Sequence, residues 1–190
     1  MQRLFVGLAL PGNIRRLFSH IRYGLPDARW VDHKNYHVNL RFIGEVDHHA
    51  AADIDGNLRR IESRTFDLTI GGLGTFGHAQ KMRTLWARVH SIPGLIHLQS
   101  KIESAVVRAG QLPESRKFVP HITLARFRTT HPDRILSYIQ NAGLFQAGPV
   151  VIDRFVLFDS YLGKGGPHYE ELAEYPLITA EHMVPLTPGF

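Results

Sequence analysis

His37-Val38-Asn39-Leu40 and His121-Ile122-Thr123-Leu124 are one phrase written twice. Each is a histidine, a β-branched residue, a small hydrogen-bonding residue and a leucine. Each lies in an apolar run that reads as a buried strand, over residues 36–43 and 118–127. Side chains two apart on a strand share a face. His37 and Asn39 therefore share one face, with Arg41 joining them by parity, while Val38, Leu40 and Phe42 take the other. In the second copy His121 and Thr123 pair up, and Ile122 and Leu124 oppose them. Strict alternation puts Arg126 on the face away from His121, unless a bulge re-aims it. The apolar faces predict a core behind each strand. The polar faces predict a shared cleft.

Working outward, residues 3–10 read as a strand stopped by Pro11-Gly12, and residues 13–23 carry Ile14, Leu17, Phe18 and Ile21 at helical spacing. Pro26-Asp27 marks a turn before a short extended piece at 29–31. Residues 48–63 read as a helix and 66–70 as a strand. Residues 71–77 read as a glycine-rich loop and 84–90 as a strand. Pro93-Gly94 opens a helix closed by Gly110. A helix over 132–142 ends near Gly143. A strand over 150–158 and a return over 168–175 form a terminal hairpin, with Lys164 at its tip. Strands and helices do not alternate strictly, which favours α+β with mainly antiparallel sheets. With no linker in 190 residues, the repeat predicts one domain over residues 1–190. It has two pseudo-symmetric, intertwined lobes, outer helices and a central cleft.

The composition narrows the function. Hydrophobic residues make up 44%, enough to bury a core. A net charge of +5 is compatible with an anionic ligand such as RNA. No cysteine is present, which excludes disulfides, thiolate metal sites and a cysteine nucleophile. The short N-terminal apolar run ends well before membrane-spanning length. A cytoplasmic protein, monomeric and not membrane-bound, is the expectation.

Two histidines on one cleft move protons both ways near neutral pH. The chemistry they suit is cleavage of a strained cyclic phosphate. One imidazole takes a proton from water and the other gives one to the leaving sugar oxygen. Asn39 and Thr123 sit where a donor meets a phosphoryl oxygen as charge builds. One His-x-Thr on a strand is ordinary sheet sequence, but two copies are far more specific. No close His/Asp/Glu cluster surrounds either motif, so a metal site is not expected. The glycine-rich stretch lacks the Gly-Lys-Ser/Thr ending of a phosphate loop.

The paired motif, with Arg3-Leu4-Phe5-Val6-Gly7-Leu8, Arg29-Trp30-Val31, Gly71-Gly72-Leu73-Gly74-Thr75-Phe76 and Phe118-Val119-Pro120-His121, resembles the 2H phosphoesterase superfamily. Within it the chain resembles the RNA 2′,3′-cyclic phosphodiesterases, also called 2′-5′ RNA ligases. The resemblance implies hydrolysis of RNA 2′,3′-cyclic phosphate ends, or of nucleoside 2′,3′-cyclic phosphates, to 2′-phosphomonoesters without a cofactor. It implies His37 and His121 as the catalytic pair, His121 activating water and His37 protonating the 3′-oxygen. Asn39, Thr123 and Arg126 match its phosphate-binding positions. Asn39 departs from the family pattern, which has Thr or Ser there. Phe5 and Tyr169 are candidates for stacking a base. Two rival readings are a non-catalytic module for RNA ends and an enzyme acting mainly on 2′-5′ linkages.

Overall fold

The computed structural model describes residues 1–179 except 26, 79, 80, 129, 130, 143, 164 and 165. Pro26, Gly143 and Lys164, named above as turn or terminator positions, lie outside the described residues. The strands are β1 (Gln2–Ala9), β2 (Ala28–Trp30), β3 (His37–Val46), β4 (Phe66–His78), β5 (Lys81–Val89), β6 (His121–Phe127), β7 (Gln146–Ile152), β8 (Arg154–Gly163) and β9 (Gly166–Pro176). The α-helices are α1 (Gly12–Leu17), α2 (His48–Leu58), α3 (Pro93–Arg108) and α4 (Pro132–Ala142).

Two antiparallel sheets result, one in the order β3-β1-β8-β9 and the other β2-β6-β5-β4-β7. The chain ends build the first sheet and the middle builds most of the second. The lobes are intertwined because β2 joins the second sheet before β3 returns to the first. The α+β expectation with mainly antiparallel sheets is met. No helix among the described residues is long and apolar enough to cross a membrane.

Four segments differ from their sequence reading. The first is the helix over 13–23, whose α-helical part ends at Leu17 and tightens into a 3-10 turn over Phe18–Ile21. The run over 150–158 is two strands. β7 closes one edge of the second sheet, Asp153 breaks the ladder, and β8 enters the middle of the first. Apolar continuity looks the same whether a run stays in one sheet or crosses between two. Residues 71–77 are not a loop but the second half of β4, with Gly74 opposite Trp86 and Phe76 opposite Thr84. The glycine is there for contact, since a Cβ on Gly74 would lie 2.5 Å from the Trp86 ring. The helix expected to reach residue 63 ends at Leu58. Its N-terminus is capped by Asp47, whose carboxylate accepts from the Ala50 N–H at 2.9 Å.

The interior is one core rather than the two expected. Leu4, Val6 and Leu8 of β1, Val38 and Leu40 of β3, and Ile122 and Leu124 of β6 join Leu85, Ile54, Leu58, Leu95, Leu98 and Ile102. The reason is that β3 and β6 lie against each other across the junction of the sheets. Their apolar faces therefore meet the same interior. A second, small cluster of Phe5, Val156 and Phe158, with Ala9 and Tyr169, covers the opposite face of the first sheet.

Gly74→Ala is expected to cost about 1–3 kcal/mol by overpacking against Trp86. A shift in the urea unfolding midpoint at unchanged m-value checks this. A neutral substitution would show that Trp86 has room to move.

Candidate active site

His37 stands at the start of β3, opposite Ala9, with Asn39 opposite Gly7. Gly7 is required by close approach: a Cβ there would sit 2.9 Å from the Val38 carbonyl oxygen and 3.4 Å from the His37 ring. The imidazole lies 4.8 Å from the Phe5 ring and 5.1 Å, edge-on, from Tyr169. Its Nδ1 is 2.8 Å from the Asn35 carbonyl oxygen. A carbonyl only accepts, so Nδ1 carries the proton and Nε2 keeps its lone pair. Asn35 is itself anchored, its side-chain amide donating to the Pro167 carbonyl at 2.6 Å.

The second lobe repeats the device. His121 opens β6 opposite Arg88, and Thr123 opposes Trp86. The His121 ring meets Phe76 edge-on at 4.7 Å, with Trp86 at 6.0 Å. Its Nδ1 is 2.7 Å from the carbonyl oxygen of Val119, again two residues back. Both histidines thus hold one tautomer, with Nε2 left for proton transfer.

Burial among aromatics pushes the His37 imidazole down to about 4, against the pull of its hydrogen bond to Asn35. The charge on His121 pushes in the same direction, which places the two rings within electrostatic reach of each other. Burial also lowers His121, opposed by its bond to Val119. Both shifts favour the neutral imidazole in the free protein, the more strongly at His37.

Each histidine strand carries a bulge at the same place. On β6, Ala125 faces Leu85 but Thr123 faces Trp86, so Leu124 is the extra residue. Leu124 and Ala125 are both buried, and Arg126 emerges on the side of His121 and Thr123. Arg126 also acts electrostatically on Tyr169, the ring beside His37. On β3, Arg41 faces Val6 but Asn39 faces Gly7, so Leu40 is extra.

That second bulge reverses two expectations. Arg41 does not share the His37 face but is 7% exposed on the interior side. It lies 2.5 Å from Glu103 and donates to the carbonyls of Phe42 and Leu112. Phe42, expected inward, is exposed, with the Arg3 guanidinium 5.5 Å above its ring. The signal was in the second copy, where Leu124-Ala125 before Arg126 already breaks alternation.

The five expected site residues thus lie on the cleft side of their strands. Asn39 faces a glycine where Thr123 faces a tryptophan, so the longer side chain has the emptier neighbour. Its Oδ1 is buried without a hydrogen-bond partner, which leaves the amide N–H₂ as the end for donation. Phe5 and Tyr169 border His37 directly and are 5.0 Å apart. Sequence reasoning missed Phe76 and Trp86, the equivalent pair at His121, because they were split between a supposed loop and a strand. Among the described residues no three His, Asp or Glu side chains converge to hold a metal ion.

Two antiparallel sheets facing each other, each with an anchored histidine in an aromatic setting, define a bilobal α+β protein built around a two-histidine cleft. A profile of the 2′-5′ RNA ligase superfamily matches residues 10–163. The RNA 2′,3′-cyclic phosphodiesterase of Aeropyrum pernix is 31% identical over 165 residues, covering 86% of this chain and 94% of its own. That of Thermotoga maritima is 34% identical over 178 residues, covering 90% and 94%. Escherichia coli LigT, solved with 3′-AMP, superposes with a TM-score of 0.77 at 28% identity, covering 93% of this chain and 98% of its own. The chain belongs to the 2′-5′ RNA ligase superfamily.

The depressed His37 links pH to stability. Its folded value of about 4 lies below the ordinary 6.5, so the unfolded chain binds more protons between them. The contribution is present above pH 6.5 and is lost as pH falls toward 4. Urea midpoints at pH 7 and pH 5 should differ in the wild type and differ less in His37→Gln. An equal drop in both would mean that His37 is not the group responsible.

Proposed function

We propose that the protein hydrolyses the 2′,3′-cyclic phosphate at an RNA end to a 2′-phosphomonoester, using His37 and His121 as its proton-transfer pair. The observation that carries this reading is the duplicated anchoring. Each Nδ1–H is held by the carbonyl two residues back, which leaves the Nε2 lone pair of both rings available for proton transfer. The similarity to the A. pernix and T. maritima phosphodiesterases supports the substrate class.

In this reading the cyclic phosphate sits between the rings. His121 takes a proton from water as it attacks phosphorus. His37 delivers a proton to the 3′-oxygen as that P–O bond breaks. The deep burial of His37 makes its imidazolium costly in the empty cleft. The anionic substrate offsets that cost, because a nearby negative charge favours the charged ring. Thr123 and the Asn39 amide donate to the phosphoryl oxygens as charge accumulates. Arg126 adds a cation on the same side of the strand. The chemistry requires no metal or organic cofactor. Phe5 and Tyr169 offer a face for the terminal base.

His37→Ala and His121→Ala should each lower kcat for cytidine 2′,3′-cyclic phosphate by about 10²–10⁴ with the circular dichroism spectrum retained. Chromatography should identify the wild-type product as the 2′-isomer, and EDTA should leave the rate unchanged. Full activity in either variant, or binding without turnover in the wild type, would overturn the reading.

Asn39→Ala should lower kcat by about 10²-fold, as for loss of one donor to a developing oxyanion. Asn39→Thr should retain most of the rate. Equal rates in wild type and Asn39→Ala would remove Asn39 from phosphate binding.

A further inference from the structure

Arg29 lies on β2 directly opposite Arg126 on β6. Paired residues of neighbouring strands share a face, so Arg29 points to the cleft side with Arg126. Trp30, the next residue along β2, takes the other side and packs against the core. Both arginines are exposed. Among the described residues, neither guanidinium has a hydrogen-bond or ion-pair partner. Like charges facing each other across a ladder destabilise the sheet. Some surface arginines, Arg59, Arg116 and Arg154, each meet a carboxylate, while Arg60, Arg88 and Arg108 are exposed without one among the described residues. What sets Arg29 and Arg126 apart is that they face each other across a ladder. An anion between the two guanidinia would relieve the repulsion, and planar guanidinium forks match phosphate well.

The pair lies at the far end of β6 from His121, two ladder positions or about 7 Å along the strand beyond Thr123, because Leu124 is the bulged residue. The cyclic phosphate is assigned to the histidines, Thr123 and the Asn39 amide, with Arg126 lying between it and Arg29. A second anion site on the same face, displaced along the strand, is placed for the next phosphate of a chain.

We propose that Arg29, beside Arg126, binds the phosphodiester preceding the cyclic phosphate, so that the protein favours oligonucleotide ends over mononucleotides. The inference rests on the cyclic-phosphate reading and deepens it. Arg29 is a specificity-determining residue here and takes no part in the bond changes. Its contact exists only when a second nucleotide is present.

The test compares adenosine 2′,3′-cyclic phosphate with the dinucleotide adenylyl-adenosine 2′,3′-cyclic phosphate. The wild type should have a kcat/KM about tenfold higher for the dinucleotide, as expected for one charge-assisted contact. Arg29→Ala should erase that preference through KM, and Arg29→Lys should keep most of it. Dinucleotide affinity should also lose about 0.7 from its slope against log salt in Arg29→Ala. Equal wild-type rates on both substrates, or an equal fall on both in Arg29→Ala, would overturn the proposal. Hydrolysis of the mononucleotide by the wild type tests the underlying reading separately. If neither substrate turns over, titration with the two 2′-phosphorylated products reads the second phosphate site directly. An affinity difference abolished by Arg29→Ala would then support it, and no difference would refute it.

Discussion

One extra residue in each histidine strand sets what the cleft contains. At Leu40 and at Leu124 the ladder slips by one position, and two neighbouring side chains turn inward together. Before the slip, the histidine and the polar residue two along face the cleft as a simple pleat demands. After it, the facing order is reversed. In the second lobe this delivers Arg126 to the cleft, next to Arg29. In the first it sends Arg41 inward to Glu103 and brings Phe42 out under Arg3. The same backbone irregularity therefore makes one lobe cationic at that level and the other aromatic. The two copies are alike in their proton-transfer residues and unlike in what surrounds them.

The cleft combines two environments that work against each other when it is empty. Burial among aromatic rings favours the neutral form of both imidazoles. Cationic side chains farther along the strands raise the potential for an anion. A phosphate entering this cleft satisfies the arginines and makes an imidazolium affordable at the same moment. Proton-transfer capacity then arises on substrate binding rather than standing ready in the free protein.

How much was legible beforehand depends on which physical signal each feature leaves. The two histidine strands were readable because hydrophobic alternation and the repeated phrase both marked them, and the α+β class followed from the order of elements. The β4 glycines misled because glycine-rich sequence reads as a loop. Here Gly74 leaves bare backbone for the Trp86 ring to lie across, as Gly7 of β1 does for the His37 ring. The split at Asp153 was invisible because β7 and β8 are equally apolar on either side of it. Arg29 belonged to a phrase that marked the family but carried no site role of its own, since its meaning lies in the residue across the ladder.

The sequence by itself determined the chemistry: two histidines, each with a donor two positions on, and no cysteine to suggest another reaction. Those are local facts, carried by residue type and by a spacing of two that any strand converts into a shared face. Only the tertiary structure decided which other residues join them. Strand pairing sets Arg29 opposite Arg126, and side-chain packing across β5 brings the Phe76 ring against His121. The bulges choose between Arg41 and Arg126 for the cleft. A ladder register and its slips are settled by packing between distant segments, so neither is written in the local pattern of either strand.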